Sequence, residues 1–250
     1  MSSTTNEDIL RRGPVSLLFV PANRPERFAK AAASGASAVI LDLEDAVAPV
    51  DKAAARAAIV SGLSGVPCVW RINAIGSNAH AEDVQFLGRM RPDAVMLPKA
   101  EAGPAFDAFA AGLSGVPIIA LVESAQGIAS ARMLAAHPAV VGLAFGTLDF
   151  CVDVGAEHIQ PVLDPMRMEL VLAARLAVAD PACLGKAGDG CRGRGGRRGW
   201  RNGGRPRQGA CGPHPGQGAG AVVPERRSAA GVLTEWISVS NALFPRTRPR

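Results

Sequence analysis

Long apolar runs are missing from this 250-residue chain. None reaches the roughly 18 residues that a membrane-spanning helix requires. The first twelve residues are polar and mixed in charge, without the apolar stretch of a secretory signal. Both absences lead to the expectation of a soluble, cytoplasmic protein with no membrane partner. Cysteine is scarce as well: Cys68, Cys151, Cys183, Cys191 and Cys211 are an odd number and form no CxxC pair. Their spacing argues against a disulfide framework or a zinc ribbon and predicts reduced thiols. Neither a GxGxxG turn nor a P-loop lysine motif occurs, so dinucleotide and ATP binding have no sequence support.

What is present is an ample apolar fraction, 48%, enough for a sizeable core. Six strand-length apolar runs stand out: Val15–Val20, Ala38–Leu43, Val66–Ile72, Ala94–Leu97, Pro117–Val122 and Val140–Phe145. Helical patterns separate them, at Pro25–Ser34, Asp51–Leu63, Glu101–Leu113, Gly127–His137 and Asp164–Ala177. The first has proline in its opening turn and Gly35 at its stop. The strand runs are apolar throughout instead of alternating, as in a parallel sheet covered by helices. Six βα units spaced by roughly 25 residues predict an α/β fold, either a (β/α) barrel or a doubly wound sheet.

The periodicity stops near Asp180, and so does the charge balance. Residues 1–180 carry 14 Lys and Arg against 19 Asp and Glu, whereas 181–250 carry 13 against 3. The basic character of the whole chain therefore belongs to its last segment. Cys191 to Pro215, CRGRGGRRGWRNGGRPRQGACGPHP, is mostly Gly and Arg and cannot bury enough apolar area to offset chain entropy. We expect a barrel domain over 1–180 and an atypical, disordered tail over 181–250. The tail admits three readings. It is an RGG-like segment, a linker, or a stretch that no longer encodes a barrel end, as after a frameshift in a GC-rich gene. Its scarce aromatics and lack of a regular repeat weigh against the first, so nucleic acid is not the expected partner.

Chemistry is concentrated at the strand ends, where (β/α) barrels carry their active sites. Strand two ends in Asp42-Leu43-Glu44-Asp45, strand three in Arg71-Ile72-Asn73, strand four in Pro98-Lys99 and strand five in Glu123-Ser124; Gly146-Thr147-Leu148-Asp149 follows strand six. Charged groups that close apolar strands are costly without partners, and five consecutive strands doing so point to one shared site. Glu123 and Asp149 close neighbouring strands and suit a hard divalent cation such as Mg²⁺. Each alone could equally cap the helix that follows it. Arg71 offers a bidentate fork for a substrate carboxylate, or a salt bridge to Glu44 or Asp45. Lys99 either orients the carboxylates or serves as a Schiff-base lysine; nearby acids favour the first. Gly146 permits close approach of backbone to a ligand, so that backbone N–H groups there could bind a substrate carboxylate.

The segments SLLFVPANRPERFAKA, AVILDLEDAV followed by Lys52 and Arg56, VWRIN, VMLPKAE, ALVESAQGI and VVGLAFGTLDFCVDVG occur in that order. Together they resemble the successive motifs of the HpcH/HpaI aldolase and citrate lyase superfamily. DLEDAV and RIN favour the citrate-lyase β-subunit-like branch, which includes malyl-CoA and citramalyl-CoA lyases. The resemblance implies a (β/α)₈ TIM-type barrel, of which six βα units are recognisable here, with the C-terminal part incomplete or disordered. It implies Mg²⁺ as cofactor, with Mn²⁺ as a substitute, and a homo-oligomer, a trimer or hexamer. It matches Glu123 and Asp149 to the metal ligands and Arg71 to the substrate-carboxylate arginine. Glu44 and Asp45 match the acidic pair of the barrel mouth. Ser124 replaces the family's usual threonine and keeps the hydroxyl.

The implied reaction is retro-aldol or retro-Claisen cleavage of a 3-hydroxyacyl thioester, on CoA or an acyl carrier, or of a related hydroxy acid. Arg71 anchors the substrate, Asp45 moves a proton through water, and Glu44 and Lys99 support the site from behind. The family's C-terminal motifs are not found. LGKAGDG and GPHPGQ hold similar letters at other spacings, which sets an expectation of weak or absent turnover in this chain. Two alternatives remain. A class II pyruvate aldolase would carry a basic histidine after strand two, which DLEDAV lacks. A catalytically impaired remnant would only bind metal and keto acid.

Overall fold

The computed structural model describes residues 16–59, 63 and 65–179, together with Asn6 and Leu10. The expected tail, 181–250, lies outside the described residues. Six strands form one parallel sheet: β1 (Leu17–Pro21), β2 (Ala38–Asp42), β3 (Cys68–Arg71), β4 (Ala94–Leu97), β5 (Ile118–Val122) and β6 (Val140–Phe145). Each strand pairs with the one before it, in the order β1-β2-β3-β4-β5-β6. That order decides between the two architectures. A doubly wound sheet reverses direction at a switch point, whereas a (β/α) barrel adds strands in one direction. Among the described residues the sheet is not closed, and β1 and β6 are its edges.

Helices occupy the crossovers: α1 (Phe28–Ala32), α2 (Lys52–Ala58), α3 (His80–Leu87), α4 (Pro104–Gly112), α5 (Ala125–Ala129), α6 (Ala131–Ala136), α7 (Thr147–Val154) and α8 (Gln160–Ala179). A short 3₁₀ turn, Pro25–Arg27, leads into α1, and Gly35 with φ 82° ends the turn that follows. That left-handed conformation is what glycine tolerates and other residues resist. The stretch expected as one helix over Gly127–His137 is two, α5 and α6, joined at Ser130. The Ser130 hydroxyl accepts from the Ala102 N–H at 3.1 Å, tying the break to the chain after β4.

Alternate strand residues feed two separate cores, because side chains point to opposite faces of a strand. Val39, Leu41, Trp70, Leu97, Val122 and Phe145 pack with helix residues such as Ala55, Phe106, Leu134 and Leu170. Leu17, Ala38, Ile40, Val69, Met96, Ile119 and Leu121 form the second core on the inner face, joined by Leu10. The strands are apolar on both faces for this reason. None of the described helices is long and apolar enough to cross a membrane.

Candidate active site

β2 and β3 pair with Asp42 opposite Arg71. Each lies two residues beyond a member of the inner core, Ile40 and Val69, so both side chains leave the sheet on its inner face. Arg71 Nε donates to Asp42 Oδ1 at 2.8 Å, and Nη2 to Asp42 Oδ2 at 2.6 Å. The guanidinium carbon stands 5.0 Å from the centre of the Phe19 ring. Nη1 lies 3.1 Å from Glu44 Oε2 and 3.9 Å from Asp45 Oδ2. Burial pulls the guanidinium pKa down, but the hydrogen bonds and charge of Asp42, with Glu44 and Asp45 behind them, more than offset this and hold it above its ordinary value.

Glu44 is buried, and its Oε2 makes no hydrogen bond despite the nearness of Arg71. Burial pushes its carboxyl up to about 7 against the pull of Arg71, with Asp45 and Asp42 adding to the rise. The loop that carries it is tightly held. The Asp42 carboxylate accepts from the Glu44 N–H at 2.9 Å and the Ala46 N–H at 3.3 Å. The Lys52 ammonium donates to the carbonyls of Leu43 and Glu44, at 2.8 and 2.9 Å. Asp45, by contrast, is exposed.

Glu123 follows β5 on the same inner face as Ile119 and Leu121, and it is buried. Its Oε2 accepts from the Lys99 N–H at 3.0 Å. Burial pushes its carboxyl up to about 8; the Lys99 N–H opposes this, and the charges of Glu44 and Asp149 add to it. Lys99 has φ 49°, left-handed for a non-glycine residue. Its Nζ lies 3.8 Å from Asp149 Oδ2. One residue therefore touches both carboxylates, Glu123 through its backbone and Asp149 through its side chain.

Gly146 plays a different part from the one expected. Its own N–H donates to the Val122 carbonyl at 2.9 Å and is spent inside the sheet. A Cβ at this position would lie 2.3 Å from Glu123 Oε1 and 2.5 Å from its Cγ. The missing side chain is the space in which Glu123 lies. Ser124 caps α5, accepting from the Gly127 N–H at 3.0 Å and donating to Glu101 Oε1 at 2.6 Å. Among the described residues no group of three or more His, Cys, Asp or Glu side chains forms a metal cage. What the mouth offers is Glu123 and Asp149, both next to Lys99, with Glu44 close enough for its charge to act on Glu123.

The segment that carries these residues matches a family pattern: the profile described as HpcH/HpaI aldolase/citrate lyase covers residues 15–180. The chain belongs to the HpcH/HpaI aldolase/citrate lyase family. A citrate lyase subunit beta-like protein of Mycobacterium tuberculosis is 44% identical over 147 residues, 58% of this chain and 52% of that protein. A (3S)-malyl-CoA thioesterase of Cereibacter sphaeroides is 32% identical over 148 residues, 57% of this chain and 52% of that one. The chain thus spans about half the length of the curated relatives it matches. Among solved structures, a citrate lyase beta subunit from M. tuberculosis, complexed with oxaloacetate and magnesium, superposes with a TM-score of 0.56 at 40% identity. That superposition covers 66% of this chain and 75% of the other.

Within this HpcH/HpaI-type scaffold, the structure brings Glu44, Arg71, Lys99, Glu123 and Asp149 to one end of the sheet, with Asp45 at the exposed rim. The expected ion pairs of Arg71 with Glu44 and Asp45 are present, and Asp42 is a further partner. The bidentate fork goes to Asp42, with Glu44 and Asp45 only alongside. Three guanidinium N–H groups remain that Asp42 does not use. Asp42 was not singled out from the sequence. Its signal was its place two residues before Glu44, which puts both carboxylates on the inner face.

Proposed function

We propose that this chain carries the active-site frame of a Mg²⁺-dependent carbon–carbon lyase acting on a 3-hydroxyacyl thioester or related hydroxy acid. The observation that carries this reading is the crowding of Glu123, Asp149 and Glu44 at one mouth. Two of these carboxyls are buried and pushed up toward neutrality. Such a group of acids is unfavourable by itself and fits a divalent cation as counter-charge. Glu123 and Asp149 would hold Mg²⁺, or Mn²⁺ in its place, and the bound ion supplies Lewis-acid polarisation of a carbonyl. Its presence in the M. tuberculosis citrate lyase beta subunit supports the assignment.

The remaining steps fall to the chain's own groups. Arg71, fixed by Asp42, binds the substrate carboxylate through its unused N–H groups and orients the bond to be broken. Asp45, exposed at the rim, takes the hydroxyl proton through water as the carbon–carbon bond breaks. The electron pair passes to the departing acyl fragment, and the proton taken by Asp45 returns through water to that fragment's carbon. Glu44 and Lys99 steady Arg71 and Asp149. Gly146 acts by leaving room for Glu123, not by offering its N–H. A CoA or acyl-carrier thioester is the proposed substrate, in line with the malyl-CoA relative.

In this reading residues 1–180 form the barrel domain, a homo-oligomer is the working assembly, and 181–250 contribute no catalytic group. Turnover is then weak or absent while keto-acid binding survives. Calorimetry with glyoxylate, pyruvate and oxaloacetate, with and without Mg²⁺, tests the site; assay with malyl-CoA and citramalyl-CoA tests the reaction. Binding that needs Mg²⁺ supports the reading. No binding of any keto acid, or keto-acid binding indifferent to Mg²⁺, overturns it. Cleavage of a free hydroxy-keto acid in preference to the thioesters makes the protein a pyruvate aldolase.

A further inference from the structure

Behind Glu44 and Arg71 runs a chain of buried polar contacts. Arg56 of α2 donates from Nη1 to Asp83 Oδ1 at 2.7 Å, and its Nη2 pairs with Glu82. Asp83 of α3 is fully buried. Its other oxygen, Oδ2, accepts from the Asn73 N–H at 2.8 Å and from the Asn73 Nδ2 at 2.6 Å. Asn73 Nδ2 also donates to the Leu43 carbonyl at 3.1 Å. Leu43 immediately precedes Glu44, and the same carbonyl accepts from Lys52.

An ion pair buried between two helices is a weak source of stability, because desolvation cancels most of the attraction. Apolar side chains would join α2 to α3 at least as well. What they could not do is fix a side-chain amide in one orientation and direct its N–H at one carbonyl. The contacts do this: both Asp83 oxygens are used, and the last link ends on the loop that carries Glu44 and Asp45.

We infer that Arg56 and Asp83 are positioning residues, which lock Asn73 and through it the acidic loop 43–46 against Arg71. This rests on the proposed keto-acid site, but its first measurement does not. Hydrogen exchange in the full chain reads the loop directly, since the Glu44 and Ala46 amides are bonded to Asp42. Asp83→Asn keeps the size of the side chain and removes the charge that holds Arg56. It should speed exchange of amides 44–47 about tenfold or more, with β4 and β5 unchanged. Arg56→Gln should do the same, and Arg56→Lys should restore most of the protection.

The second measurement is Mg²⁺-dependent keto-acid binding, which should weaken roughly 10-fold to 100-fold in Asp83→Asn and Arg56→Gln, and much less in Arg56→Lys. Should Asp83→Asn fail to fold, Arg56→Gln, which keeps the Asp83 carboxylate but removes the cation that fixes it, carries the comparison. Exchange that rises equally in all strands, or a loop that stays protected in both variants, overturns the inference. A parent chain that binds no keto acid overturns the proposed function instead, and loop exchange still decides the relay.

Discussion

Arg71 and Asp42 sit opposite each other on adjacent strands and are joined by two parallel hydrogen bonds, 2.8 Å and 2.6 Å long. Both side chains are nearly buried. Replacing Arg71 by a neutral residue leaves Asp42 a buried charge held only by the Glu44 and Ala46 N–H groups. Arg71→Lys keeps the charge but loses the planar fork. It should lower stability by about 2 kcal/mol in urea titration, in the range for hydrogen bonds to charged groups. Keto-acid affinity should fall by roughly tenfold or more in the same variant. Unchanged affinity in a folded Arg71→Lys protein would remove Arg71 from the substrate site.

The metal assignment makes a separate prediction. Titration calorimetry of the full chain should show Mg²⁺ binding that Glu123→Gln and Asp149→Ala each abolish. Glu101→Gln should leave it intact, because Glu101 is bonded to Ser124 and is not placed at the proposed metal site. Equal binding in all four proteins would mean the ion sits elsewhere.

Gly146→Ala should weaken Mg²⁺ binding without replacing a ligand. The added methyl would stand 2.3 Å from Glu123 Oε1, so the carboxylate must move. Crowding of this kind costs about 1–3 kcal/mol, read as a lower melting temperature together with the loss of affinity. A variant that binds Mg²⁺ as the parent does would show that Glu123 has another place to go.

Stability should depend on pH with a definite sign. Glu123 and Glu44 titrate at about 8 and about 7 in the folded chain, against an ordinary 4.5. The folded state therefore holds protons that the unfolded state releases first. Stability from these groups is full below about 4.5 and declines as pH rises to about 8. Thermal melts without Mg²⁺ should fall across that window. Added Mg²⁺ should raise the melting temperature far more at pH 8 than at pH 5, since binding requires the ionised carboxylates. A Mg²⁺ effect equal at both values would contradict the carboxylate site.

Much of the fold was legible because apolar runs record burial. β4 and β6 begin and end where their runs do, and the other four strands agree to within two residues at every end. α3 was not resolved as a separate pattern: HAEDVQFL opens on polar residues and buries only Asp83 and Leu87. α7 is hard to see in TLDFCVDV because an eight-residue helix that buries only Phe150 and Cys151 carries little period. At the site, Glu123, Asp149 and Lys99 were visible as charges closing apolar strands. The grip of Asp42 on Arg71 was not, because it depends on which residues of β2 and β3 stand opposite each other. Composition carries no register. The same limit hid the pairing of Arg56 with Asp83, which lie 27 positions apart and meet only where α2 and α3 come together.

The sequential strand order has a consequence for how the site comes into being. Every strand pairs with the one synthesised just before it, so no strand waits for a later one to find its neighbour. The Asp42–Arg71 clamp can close as soon as β3 has left the ribosome, and Lys99 then arrives to meet Glu123 one unit later. Asp149 is the last acid to join. The three carboxylates of the mouth thus come together only after all six strands have been laid down to carry them.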